Sequence, residues 1–164
     1  MRRVRLDRID RHILRELQDD GRITNVALAE RAGISAPPCL RRVRALEEAG
    51  FIRGYHAELD HERLGFEVMF FALVGLDSQS EAVLTAFEEM VRAWPEVREC
   101  NMARGPDDFV LKLVARNTAH ENELTTKLTS APHVAKVRTI QVIRTAKRLP
   151  GVPVEEDAAE GVEA

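Results

Sequence analysis

The chain has 164 residues, 45% hydrophobic and 31% charged, with a formal net charge of −3 at pH 7. These are the proportions of an ordinary globular protein, and no apolar run approaches the ~18 residues that cross a bilayer. The opening residues are basic but no apolar segment of signal-peptide type follows them, so a cytoplasmic protein is expected.

The charge is unevenly spread. Residues 1–60 carry twelve Lys/Arg against ten Asp/Glu, residues 61–148 twelve against twelve, and the last sixteen residues five acids and no base. Net acidity is therefore a property of the tail and is no argument against a polyanion partner elsewhere, because exposed charges act over about one Debye length, ~8–10 Å. Cys39, Cys100 and the five scattered histidines show no metal-ligand spacing. Reduced, partly buried thiols and no metal are expected.

Leu6, Ile9, Ile13, Leu14 and Leu17 repeat at the period of an amphipathic helix, with Asp7 or Asp10 as its cap and Asp20-Gly21 as its end. A second helix is predicted over 25–32, capped by Thr24, with Val26, Leu28 and Ala29 facing inward. Gly33 supplies a positive φ, Ile34 plugs the corner, and Ser35 caps a third helix whose first turn accommodates Pro37 and Pro38. That helix runs to Glu48 or Ala49 with Leu40, Val43 and Leu46 buried, and Gly50 closes it. Phe51 to Leu59 reads as short extended structure, and Asp60 to Gly65 as an interdomain hinge.

The second half changes period. Strands are predicted over 68–76, 97–103, 108–115 and 134–145, and helices over 80–94 and 118–129. The last helix is read as opening on a Thr118/Glu121 capping box. The order βαββαβ is the split β-α-β, ferredoxin-like arrangement. Both crossover helices of such a fold cover one sheet face. Yet the first strand is apolar on both, with Val68, Phe70, Ala72 and Val74 on one side and Met69, Phe71 and Leu73 on the other. The uncovered face points to a second copy of the chain; the alternative is a fold-back of the N-terminal domain. From Leu149 on, prolines, glycines and acids predict a disordered tail. The expected fold class is α+β, with domains at 1–53, 66–148 and an acidic tail at 149–164, and 54–65 forming a hinge strand and linker.

The spacing Ala29-x3-Gly33-Ile34-Ser35 ahead of an amphipathic helix is a helix-turn-helix signal. Residues 35–46 hold three arginines and no acid. A helix that enters the major groove of duplex DNA needs backbone donors at its start and cations along its outer face. Ser35, Pro37, Pro38, Arg41, Arg42 and Arg44 are the candidate DNA contacts, and each arginine is either a base reader or a phosphate contact. The bland alternative is a solvated charged face, which usually mixes both signs.

These segments together, Leu6-Asp7-x2-Asp10-x2-Ile13-Leu14-x2-Leu17-Gln18-x-Asp20-Gly21-Arg22, Leu28-Ala29-x3-Gly33-x-Ser35, Pro38-Cys39-Leu40-Arg41-Arg42-Val43-x2-Leu46-Glu47 and Gly50-Phe51-Ile52-x-Gly54-Tyr55, resemble the Lrp/AsnC family of feast/famine regulators. The resemblance covers about residues 6–148. It implies a winged helix-turn-helix, a β-hinge, a βαββαβ effector domain, homodimers that often assemble as four dimers into an octamer, and amino acids as effectors. It also implies an effector site at a Gly-x-x-Asp-aromatic loop, matched by Gly105-Pro106-Asp107-Asp108-Phe109, with Arg138 and Thr139 from the last strand of a neighbour. A glycine turn offers N–H groups to a carboxylate, and an acid takes an ammonium. Arg104 stands where a small polar residue is common in the family, and Pro106 stiffens the loop and removes a donor. The alternatives there are an ordinary β-turn or a site that binds nothing.

The leading expectation is a sequence-specific, effector-modulated DNA-binding regulator that needs no cofactor and has no membrane partner. A second reading is an amino-acid sensor whose first sixty residues are a docking domain. A third is an enzyme, because haem-pathway decarboxylases resemble this family. No catalytic pair stands at useful spacing, however, and His120 and His133 read as surface residues.

Overall fold

The computed structural model describes residues 5–155, which form two compact units. One takes residues up to Glu58 together with residues from Lys147 on, and the other is Leu59–Ala146. Residues 1–4 and the part of the expected disordered tail over 156–164 lie outside the described residues.

In the first unit α1 is Arg8–Asp19, α2 Asn25–Arg31 and α3 Ala36–Glu48. Asp7 caps α1 in a reciprocal box with Asp10: the Asp10 N–H donates to Asp7 Oδ1 at 2.8 Å, and the Asp7 N–H donates to Asp10 Oδ2 at 3.1 Å. Thr24 caps α2 by accepting from the Ala27 N–H at 3.2 Å. Gly33, at φ +68, reverses the chain after α2, and the Ile34 N–H returns to the Ala29 carbonyl at 3.0 Å. Ile13, Leu28, Ala29, Cys39 and Leu46 form the core where the three helices meet, with Ile9, Leu17, Ile34, Val43 and Ile52 packed around it.

Several expectations are corrected here. Cys39, not Leu40, takes the buried position: Cys39 is 0% exposed and Leu40 39%. Both are apolar, and the stripe 39-43-46 is as helical as 40-43-46; the smaller side chain fits the close crossing. Val26, expected to face inward, is 69% exposed. Ser35 occupies the N-cap of α3 without a side-chain capping bond. The segment after Phe51 is in no strand, because among the described residues it meets no antiparallel backbone.

The second unit follows the expected order, with β1 Val68–Leu76, α4 Glu81–Arg92, β2 Val97–Met102, β3 Phe109–Ala115, α5 Thr118–Thr129 and β4 Val134–Gln141. Its sheet is antiparallel in the order β2-β3-β1-β4. Asn117, rather than Thr118, caps α5 by accepting from the His120 N–H at 2.9 Å, because Thr118 is already the first helical residue. Val68, Phe70, Ala72 and Val74 of β1 and Phe109, Leu111, Leu113 and Ala115 of β3 meet Phe87 and Val91 of α4 and Leu124 and Leu128 of α5. On the opposite face β1 places Met69, Phe71 and Leu73 beside Val110 and Val114 of β3, with Ile140 of β4 across from Phe71 and 56% exposed. Cys100, expected partly buried, is exposed on the edge strand β2.

Because Ile13 is wholly enclosed, Ile13→Ala should cost the DNA-binding unit about 2–5 kcal/mol. Val26→Ala, at the 69% exposed position, should stay within about 0.5 kcal/mol. Urea unfolding followed by helical circular dichroism measures both.

Candidate functional site

The turn at Gly33 sets where α3 starts, and Asn25 fixes it further by donating from Nδ2 to the Ala36 carbonyl at 2.9 Å. With Cys39 and Leu46 turned into the core, Pro37, Leu40, Arg41 and Arg44 are exposed along the outer side of α3, and Ser35 is exposed at its start. Pro38 is half-buried.

Arg42 is placed differently from its two neighbours. Its Nη1 lies 2.7 Å from Asp7 Oδ2 and 2.7 Å from Asp10 Oδ1, so the capping box of α1 also grips α3. Each aspartate gives one oxygen to the cap and the other to the guanidinium. Burial opposes ionisation of Asp7, but the Asp10 N–H and the Arg42 guanidinium outweigh it and hold the carboxyl below its ordinary value. The hydrogen bonds to Asp10 and Asp7 push Arg42 upward. A charge held this way ties two helices together and leaves Arg41 and Arg44 as the outward cations of α3. Burial also pushes the Cys39 thiol up, which makes it a packing residue.

In the second unit the loop between β2 and β3 brings part of the expected effector set together. Asp107 is 5% exposed, the one buried charged residue among those described. Its Oδ2 meets Arg138 Nη2, and its Oδ1 lies 2.9 Å from Lys136 Nζ, whose hydrogen bond goes to the Pro106 carbonyl at 2.9 Å. The Lys136 ammonium and then the Arg138 guanidinium hold the Asp107 carboxyl below its ordinary value, against the effect of burial. Asp108 braces the loop: its Oδ2 accepts from the Leu76 N–H at 2.7 Å and its Oδ1 from Gln79 Nε2 at 2.9 Å. Phe109 is 0% exposed and packs on Phe87 with ring centroids 4.8 Å apart, so its side chain is core. Arg104 and Gly105 are exposed, and a Cβ on Gly105 would meet open space. Thr139 pairs with Ala72 and Arg138 with Leu73, so these successive residues sit on opposite faces of the sheet. Lys136 was missed in the sequence, although it stands two residues before Arg138 and therefore on the same face of β4.

Residues 6–53 match the model for winged helix-turn-helix DNA-binding domains, and residues 69–152 match that for the Lrp/AsnC ligand binding domain. The leucine-responsive regulatory protein of Rhizobium meliloti is 56% identical over 146 residues, covering 88% of this chain and 94% of that protein. The chain belongs to the Lrp/AsnC family. It is a DNA-binding transcriptional regulator with a ligand-binding effector domain, and its relatives are regulators rather than enzymes. The Bkd operon transcriptional regulator of Pseudomonas aeruginosa is 41% identical over 141 residues, covering 85% of this chain and 92% of that one. Among solved structures, the Lrp/AsnC regulator described here is similar to a transcriptional regulator of Neisseria meningitidis in complex with L-Met. The TM-score is 0.86 at 33% identity, covering 91% of this chain and 97% of that one.

The Arg42 clamp gives a pH signature. Asp7 titrates below its ordinary value of 3.8 in the folded protein, so its stabilisation is complete above that pH and is lost as the pH falls through the folded value. Arg42→Ala should cost about 1–2 kcal/mol at pH 7, allowing for the partial exposure of the pair. Denaturant titrations from pH 7 down to about pH 2 should show the gap to wild type closing below about pH 4.

Proposed function

We propose that α3 reads the major groove in a sequence-specific way, and that an amino acid bound at the 104–109 loop and β4 sets how the regulator engages DNA. The observation that carries the DNA half is the outer side of α3. Arg41 and Arg44 are exposed there beside Leu40 and Pro37, while Arg42 is neutralised by two aspartates. Ser35, Pro37 and Pro38 stand at the helix start, where backbone donors and short side chains approach phosphates and base edges, and Arg41 and Arg44 supply the charge. Arg42 contributes by fixing the pose of α3 on α1.

The effector half is supported by the charges around Asp107. One carboxylate set against Lys136 and Arg138 leaves a net positive group, with Arg104 nearby in sequence. The α-carboxylate of an amino acid suits the cations, and its ammonium suits Asp107. Gly105 leaves room over the loop, while Asp108 and Phe109 hold it to β1 and the core. Thr139 belongs to the same strand and would serve from the other face. The relative solved with L-Met agrees with an amino-acid ligand.

Self-association completes the reading. The apolar face on which Phe71, Leu73 and Val110 are half-buried and Ile140 exposed, beside the buried Met69 and Val114, suits a second copy, giving a homodimer, and four dimers an octamer. An effector then acts by binding one arrangement more tightly than another, which changes how many DNA half-sites are held at once. The cytoplasm is where such a regulator meets its DNA, and no helix among the described residues is long and apolar enough to cross a membrane.

Anisotropy titrations against the DNA upstream of this protein's own gene test the reading. Wild type should bind with a steep dependence on salt, and Arg41→Ala/Arg44→Ala should flatten the salt slope by ~2, about one unit per lost phosphate contact. Arg42→Lys should leave that slope unchanged. Absence of specific binding by the wild type would move the protein to the sensor reading. For the effector, calorimetry with individual L-amino acids should show binding that Asp107→Ala and Arg138→Ala abolish. Sedimentation should show Phe71→Lys shifting the dimer toward monomer.

A further inference from the structure

The chain leaves the DNA-binding unit at Glu58 and returns to it at Lys147. Arg148 Nη1 donates to Glu58 Oε1 at 3.2 Å, so departure and return lie side by side. Of the following residues, Leu149-Pro150-Gly151-Val152, the backbone of Val152 is held on α1, while the Leu149 and Val152 side chains stay exposed. Gln18 Nε2 donates to the Val152 carbonyl at 3.0 Å, and the Val152 N–H donates to Gln18 Oε1 at 3.2 Å. The side-chain amide of Gln18 thus answers both backbone groups of one residue, as a neighbouring strand would.

Gly151 shows how closely the segment is fitted. Its φ is +61, and a Cβ there would lie 2.2 Å from Gln18 Oε1. The backbone handedness favours glycine at this position, and any Cβ there would displace the Gln18 amide from Val152. Pro150 and Pro153 flank it, stiffening the segment and removing N–H groups that would otherwise need partners. A tail with no role would need none of this.

We propose that residues 147–152 are a strap that fastens the chain leaving β4 onto α1, and that the effector signal reaches the DNA-binding unit through it as well as through residues 54–65. The signalling part rests on the amino-acid reading given above. β4 carries Lys136 and Arg138 and ends at Gln141, with five residues between it and Lys147. The helix that the strap grips is also the helix whose Asp7 and Asp10 hold Arg42 of α3. A ligand that competes with Asp107 for Arg138 and Lys136 pulls on a strand whose continuation is tied to α1, and α1 is tied to α3. Two tethers also restrict the DNA-binding unit more than one flexible linker does.

Two variants of the full-length protein, Gly151→Val and Gln18→Ala, release the strap by different means and touch neither the DNA-contacting face nor the effector loop. Native-state trypsin cleavage at Lys147 and Arg148 reads the strap directly, because cleavage follows the population of the open form. Wild type should be cut slowly, and both variants at least about tenfold faster, with the circular dichroism spectrum unchanged. Wild type cut as fast as the variants would overturn the strap. In the second arm, the change in DNA affinity produced by a saturating amino acid should shrink several-fold in both variants, with ligand-free DNA affinity and calorimetric ligand binding retained. An undiminished change would overturn transmission through the strap. A wild type with no amino-acid-dependent change at all would overturn transmission together with the amino-acid reading, while the trypsin arm would still decide whether the strap is formed.

Discussion

β1 is hydrogen-bonded on both edges, to β3 and to β4, and is apolar on both faces, and the organisation of the effector unit follows from that. A strand bonded on both edges has no spare backbone donors or acceptors, so it must sit inside the sheet. Its Val68-Phe70-Ala72-Val74 side collects α4 and α5, and its Met69-Phe71-Leu73 side forms the opposite face of the sheet. The end of β1 also fixes the loop between β2 and β3, because Leu76 bonds Asp108 and the Val74 carbonyl accepts the Asp108 N–H. Once Asp108 is anchored outward and Phe109 inward, Asp107 is delivered beside Lys136 and Arg138 on β4. The charged cluster is thus a consequence of strand order, with β4 on one edge of β1 and β3 on the other.

The DNA-binding unit solves a similar problem with charge. Three short helices bury few residues, chiefly Ile13, Leu28, Ala29, Cys39 and Leu46. Arg42 Nη1, shared between Asp7 and Asp10, adds a polar contact between α3 and α1, and it draws on carboxylates that the α1 capping box has already oriented. A charge-assisted pair of this kind contributes modestly to stability but much to geometry. With Arg42 paired to Asp7 and Asp10 and only partly exposed, Arg41 and Arg44 are the more exposed cations of α3.

Much of this was legible in one dimension. The 3.6-residue period of α1, the Gly33 turn, the alternation of strands and helices after residue 66 and the two-faced apolarity of β1 depend on local spacing. Spacing is what a sequence displays, so the fold class, the helix-turn-helix and a turn at 104–107 could be read from it, while the Gly105–Phe109 loop was marked out by the family resemblance. The misplacements have a common cause. Cys39 and Leu40 are both apolar and adjacent, Asn117 and Thr118 are both good caps, and Arg41, Arg42 and Arg44 are all outward-compatible cations. In each case the local chemistry was degenerate, and a distant neighbour broke the tie.

The sequence by itself determined the elements, their order, the sign of charge on α3 and the surplus apolar face of the sheet, because these follow from periodicity and composition within short windows. Only the tertiary structure decided which arginine is spent on Asp7 and Asp10, that Lys136 joins Arg138 on Asp107, that Thr139 faces the other way, and that Gln18 meets Val152 across 134 residues. Those pairings depend on where separate elements come to rest against one another, and the distance between two side chains on different elements is not encoded in the spacing of either.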